Sequence, residues 1–174
     1  MLGDINDRVR KFAQDASTQE GCRLYDLEFS GGQNGRVLRV YIDRDDRLVS
    51  IDDCANVSRA LNQFLDVEED VIPGGAYDLE VSSPGLERRL VEPWHFEKVV
   101  NQPVRVRTSE MVTGGLTNVT PQTLLDGVLK KVEDGNLVIL KDGNEWIVPM
   151  SQVAKANVRF VPPEKQGPKG KKKR

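Results

Sequence analysis

Residues 77–85 constrain the fold of this chain more than any other stretch. Tyr77, Leu79 and Val81 alternate with Asp78 and Glu80, the period of a strand with one buried and one wet face, and the alternation stops at Ser82. Pro84 locks its own φ and pushes Ser83 towards extended or turn geometry. Gly85 accepts positive φ, so Ser82-Ser83-Pro84-Gly85 reads as a defined corner. Leu86 and Glu87 follow, then Arg88 and Arg89, two guanidinium forks suited to phosphate or carboxylate. Helix and strand patterns mix before the corner, and short strand patterns dominate after it. The corner is therefore expected to be a hinge between a first domain, 1–90, and a second, 91–163, with a disordered basic tail over 164–174. A strand, a turn and a solvated linker account for the same residues without any binding role. The functional reading makes 82–88 a contact surface.

In the first domain Asp4 can cap a helix whose apolar positions Ile5, Val9, Phe12, Ala13 and Ala16 share one face, with Gly21 closing it. Residues 24–29 predict a strand with Tyr25, Leu27 and Phe29 on one side. Residues 36–43 predict another, with Leu38, Val40 and Ile42 inward. The turn-rich 30–35 segment between them looks too long for a two-residue hairpin. Ser50 with Asp53 forms a capping box ahead of a second helix striped by Cys54, Val57, Leu61, Phe64 and Leu65. With the third strand at 76–81, the order is α-β-β-α-β, an α+β unit in which helices cover one face of a three-stranded sheet.

In the second domain Pro93 opens a short helix bearing Trp94, Phe96, Val99 and Val100. Strands are predicted at 102–108, 124–132, 136–140, 145–148 and 157–161, with a helical turn at 149–152. Asp134-Gly135 and Asp142-Gly143 are dipeptides that favour tight hairpins. Five short strands in so little chain fit a small closed SH3-like barrel better than an open sheet with unprotected edges. The polar 109–122 segment reads as a long loop.

Charge is unevenly spread. Net charge is −2, yet Lys165, Lys169, Lys171, Lys172, Lys173 and Arg174 stand without an acid after Glu164, leaving 19 basic against 27 acidic residues before them. A basic arm thus hangs from an acidic body. At a screening length of roughly 8 Å the two act on partners as separate charges. No apolar run approaches the twenty or so residues of a membrane span, and the N-terminus lacks a secretory pattern, so a cytoplasmic protein is expected.

Residues for catalysis do not assemble. His95 is the one histidine, beside Trp94, where packing or capping is the ordinary role. Cys22 and Cys54 lack the spacing or companions of a metal site and are expected to be free and buried as small hydrophobes. The acidic loop at 43–47 starts like a calcium loop but has Arg47 at the fifth position and Leu48 where glycine is required. No phosphate loop or nucleophile elbow occurs. The expectation is a binding protein with no catalytic residue, no metal and no cofactor.

The run from Tyr77 to Leu90 resembles the signature of the ribosome maturation factor RimP family, in which a similar Leu-Glu-Val-Ser-Ser-Pro-Gly-Leu precedes acidic, Arg and Pro positions. Glu87 and Arg88 match; Arg89 stands in the place of the proline, which predicts a looser backbone there. Segments 38–43, 51–58 and 152–157 resemble family segments in matching order, so the similarity spans nearly everything except 109–122 and the tail. It implies an α-β-β-α-β domain followed by an SH3-like (Sm-like) barrel. It also implies a monomer that binds the immature small (30S) ribosomal subunit and assists its assembly without catalysis. The partner implied is a basic ribosomal protein near the decoding region, with 16S rRNA as a further contact and no membrane. Partner binding falls on Ser82, Ser83, Pro84, Gly85, Leu86, Glu87 and Arg88. RNA contact is expected at Arg105, Arg107, Lys171, Lys172, Lys173 and Arg174. Two other readings stay open, an Sm-like RNA-binding regulator and a peptide-binding adaptor. The strand faces show no run of exposed aromatics for base stacking, which counts against the regulator.

Overall fold

Two apolar cores form, each within its own stretch of chain. The computed structural model describes residues 2–32, 35–67, 71–72, 74–114 and 120–160. It divides into two compact units, Met1–Gly85 and Leu86–Arg174.

The first unit runs α1 (Leu2–Gln19), β1 (Arg23–Gly32), β2 (Gly35–Asp43), α2 (Ile51–Val67) and β3 (Asp78–Ser82), the expected order. Val9, Ala13 and Ala16 of α1 are buried, and Phe12 stacks on Phe64 of α2 with ring centroids 5.9 Å apart. Positive φ at Gly21 closes α1. The capping box at α2 is formed: Asp53 N–H donates to Ser50 Oγ at 3.2 Å, and Ser50 N–H donates to the Asp53 carboxylate at 2.8 Å. β2 is central, antiparallel to β1 and parallel to β3, so α2 is the crossover a parallel pair requires. Leu27, Leu38, Val40 and Ile42 share one core with Val57 and Leu61.

Two strand details differ from expectation. A bulge at Tyr25 shifts the β1 register; Tyr25 and Leu27 are buried, whereas Phe29, on the same face as Leu27, is 42% exposed with the Arg36 guanidinium 5.0 Å above its ring. Pairing also continues through Ser30↔Val37 to Gly32↔Gly35, which leaves only residues 33–34 between the strands. Polar and glycine residues that look like loop are ladder, because the β2 backbone holds them.

The second unit runs α3 (Pro93–Glu97), β4 (Pro103–Val112), β5 (Gln122–Glu133), β6 (Asn136–Lys141), β7 (Asn144–Pro149), a 3-10 turn (Met150–Gln152) and β8 (Val153–Val158). The strands make one antiparallel sheet in the order β7-β6-β5-β4-β8. Phe96, Val106, Leu125, Leu129, Ile139 and Trp146 lie in its core. Both Asp-Gly dipeptides are tight turns with positive φ at each residue, 49° and 74° at Asp134-Gly135 and 51° and 78° at Asp142-Gly143. Gly114, beyond the end of β4, bridges Trp146 of β7. Strand β4 continues four residues past Thr108, whose hydroxyl donates to the Glu110 carbonyl at 2.6 Å where the registers shift. The last strand starts at Val153 rather than 157: Ala154, Lys155 and Ala156 lack β-branched side chains, and pairing of Val153, Lys155 and Ala156 with β4, around an irregularity at Ala154, makes the segment strand.

Candidate functional site

The Ser-Ser-Pro-Gly run begins on the ladder and then leaves it. Ser82 ends β3 opposite Tyr41 of β2; Ser83, Pro84 and Gly85 follow outside any strand, with Ser82, Ser83 and Gly85 exposed and Pro84 half-buried. Gly85 has φ +76°, and a Cβ there would meet nothing within 4 Å. Glycine is thus demanded by backbone conformation and not by space.

Leu86, Glu87 and Arg88 belong to the second unit. Leu86 is 70% exposed, and Leu86-Glu87 forms a turn. The chain then lies along the free edge of β8: Val158 N–H donates to the Arg88 carbonyl at 3.0 Å and Leu90 N–H to the Ala156 carbonyl at 2.9 Å. Asn157 Nδ2 adds a bond to the Glu87 carbonyl at 3.3 Å. Arg89 sits between them in an isolated bridge with Asn157. The two ladder bonds to β8 come from its neighbours, Arg88 and Leu90. Main-chain pairing to β8 thus flanks Arg89 on both sides.

Arg105 and Arg107 both point outward from β4, but they differ in their partners. Arg105 grips Asp126 of β5 with two bonds, Nε to Oδ1 at 2.8 Å and a second guanidinium nitrogen to Oδ2 at 3.1 Å. That grip holds the Asp126 carboxyl below the usual carboxylate range, and Arg159 stands 3.5 Å from the same carboxylate. Arg107 lies opposite Leu124 on one side and Lys155 on the other. Arg105, Arg107, Lys155 and Arg159 line a single groove of about 520 Å³ with Phe160. Lys155 and Arg159 were not foreseen as part of this surface. Their signal was present, since Lys155, Asn157 and Arg159 alternate at the strand period, but the misplaced last strand concealed it. Lys171, Lys172, Lys173 and Arg174 lie outside the described residues.

The remaining chemically capable residues are structural. His95 is buried, and its Nδ1 accepts the N–H groups of Val91 at 3.0 Å and Glu92 at 3.1 Å, capping the start of α3. Asp53 accepts from Arg47 at 2.6 Å, from Arg44 at 3.1 Å and from Ser50; the Arg47 bond first, and then Ser50, hold its carboxyl far below the ordinary range. Arg44 also binds Asp46 at 2.9 Å, so this acidic loop is cross-linked by arginine. Cys22 and Cys54 are free thiols, both pushed up in pKa first by burial. Among the described residues no group of three His, Cys, Asp or Glu side chains is placed to hold a metal, and no helix is long and apolar enough to cross a membrane.

Residues 12–87 match the model of the RimP N-terminal domain. The match takes in the Phe12–Phe64 stack, the α2 capping box, the three-stranded sheet and the Ser-Ser-Pro-Gly corner. Over those residues the chain is similar to the N-terminal domain of the RimP family.

Proposed function

We propose that this protein binds the immature small (30S) ribosomal subunit as a monomer in the cytoplasm and assists its assembly by binding alone. The observation that carries the reading is the RimP N-terminal domain across residues 12–87. The charge distribution supports it. Residues 1–85 contain 17 acidic and 9 basic residues, a net of −8, which suits attraction to a basic ribosomal protein. Partner contact is assigned to the exposed corner Ser82, Ser83, Pro84 and Gly85, continuing along the chain through Leu86, Glu87 and Arg88. The second unit is read as an SH3-like barrel, supported by the Gly114–Trp146 bridge between the chain beyond β4 and the edge strand β7.

The mechanism is a population shift. A protein that binds one conformer of an unfinished particle more tightly than its competitors raises that conformer's share by its differential affinity, and no nucleotide is consumed. Sucrose-gradient profiles of cells with and without the protein test this. Accumulated immature small subunits in cells lacking it support the reading, and superimposable profiles with no co-migrating protein reject it.

A further inference from the structure

On the outer face of the second unit, β4 and β8 set Arg107 directly opposite Lys155. Side chains so placed have Cβ atoms about 4.5–5.5 Å apart, and like charges there destabilise a sheet. Among the described residues no carboxylate lies within ion-pair range of either, because Asp126 is engaged by Arg105 and Arg159. Four cations line the groove against one acid, Glu87, in a protein whose net charge is negative. Both side chains are exposed, and an anion bound between them would neutralise the pair.

We propose that this groove is a track for single-stranded RNA, with Arg107 and Lys155 each taking a backbone phosphate and Phe160 offering its face to one base. The proposal rests on the ribosome-assembly reading and names a nucleic-acid contact within it. Guanidinium and ammonium groups neutralise a phosphodiester as well as a carboxylate, so charge alone does not choose between RNA and an acidic peptide. The aromatic ring makes the choice. Phe160 is 48% exposed beside the cations and Leu124, 38% exposed, shares the lining; bases stack on such a surface, whereas an acidic peptide gains little from it. An exposed ring just beyond the end of β8 reaches a splayed base and not one stacked inside a duplex. A single ring reads no sequence, so binding is tolerant of base identity. Arg105 is a positioning residue in this scheme, held flat on the sheet by Asp126.

Fluorescence anisotropy of the full chain with a labelled twelve-nucleotide uridylate RNA, across a salt series, tests the proposal. Arg107→Thr and Lys155→Thr are each expected to flatten the log–log salt slope by about 0.7, the value of one single-strand phosphate contact, and together to weaken binding by about tenfold or more at low salt. Their thermal midpoints should equal or exceed the parent's, because the repulsion is gone. Phe160→Ala should weaken binding with the salt slope unchanged. The double variant binding like the parent overturns the groove, as does a fall in thermal midpoint that tracks the loss of affinity. Equal competition by polyglutamate of matched charge, or by duplex RNA, overturns the assignment to single strands. Sedimentation with immature subunits, run alongside, separates the two levels. If the variants bind RNA normally while the parent still co-sediments, only the groove is wrong. If the parent fails to co-sediment while the variants lose RNA, the groove stands and the assembly reading falls.

Discussion

Gly127 shows how tightly the second unit is packed. A Cβ at this position in β5 would lie 2.5 Å from the Leu140 carbonyl oxygen and 2.8 Å from Ile139 Cγ2, and backbone cannot yield as a flexible side chain does. Gly127→Ala should therefore destabilise the protein by about 1–3 kcal/mol, the ordinary cost of overpacking, measured by urea denaturation. Asp53 offers a pH test. Its folded-state pKa is lowered, chiefly by the Arg47 bond and then by Ser50, so its stabilisation is complete above the unfolded value of about 3.9 and is lost as pH falls below it. Thermal melts of the parent and Asp53→Asn should differ clearly at pH 7 and converge as the solution is acidified below about pH 4. A constant gap across that range would mean the carboxylate's charge is irrelevant. The capping pair Ser50 and Asp53 was legible in the sequence because both partners lie within one turn. The Arg44 and Arg47 contacts were not, since nothing local says which carboxylate in an acidic loop an arginine will choose.

At the scale of elements, the residues 88–90 decide how the edge of β8 is finished. Arg88 and Leu90 carry the ladder bonds, and Arg89 carries none of them. Arg89→Pro leaves both of these ladder bonds in place and should therefore cost less stability than Leu90→Pro. Leu90→Pro removes the bond to Ala156 together with a buried side chain and should cost about 3 kcal/mol or more. Parallel denaturation curves for the two variants decide the matter, and equal losses would contradict the bonding pattern. The same elements explain which parts of the fold could be read from the chain. The α2 stripe, its capping box and the Asp-Gly turns are local signals and match the structure, whereas Asp4, expected to cap the first helix, lies inside α1. The ends of β1 and β4 and the whole start of β8 depend on a partner strand, and Ser30, Gly31 and Ala154–Ala156 resemble loop or helix when read alone. The candidate cationic groove follows the same rule. Arg105 and Arg107 are visible in the alternation of one strand, whereas Lys155 and Arg159 join them only through antiparallel register.

Over the whole molecule, charge is sorted along the chain. The first unit is strongly acidic, residues 86–160 hold 9 acidic and 10 basic residues, and six unopposed cations follow Glu164. An acidic unit suits a basic protein partner, and a cationic groove followed in sequence by a cationic tail suits RNA; an unfinished ribosomal particle presents both. On this account, deleting residues 165–174 should reduce RNA affinity and flatten its salt dependence while leaving a basic protein partner bound, measured by anisotropy and by pull-down. The most direct test is a pelleting assay with the purified full chain and two particle preparations, immature small subunits from cells lacking the protein and mature small subunits. Saturable binding that strongly prefers the immature particles, with no nucleotide added, is the predicted result. Equal affinity for both, or binding to neither, would contradict it.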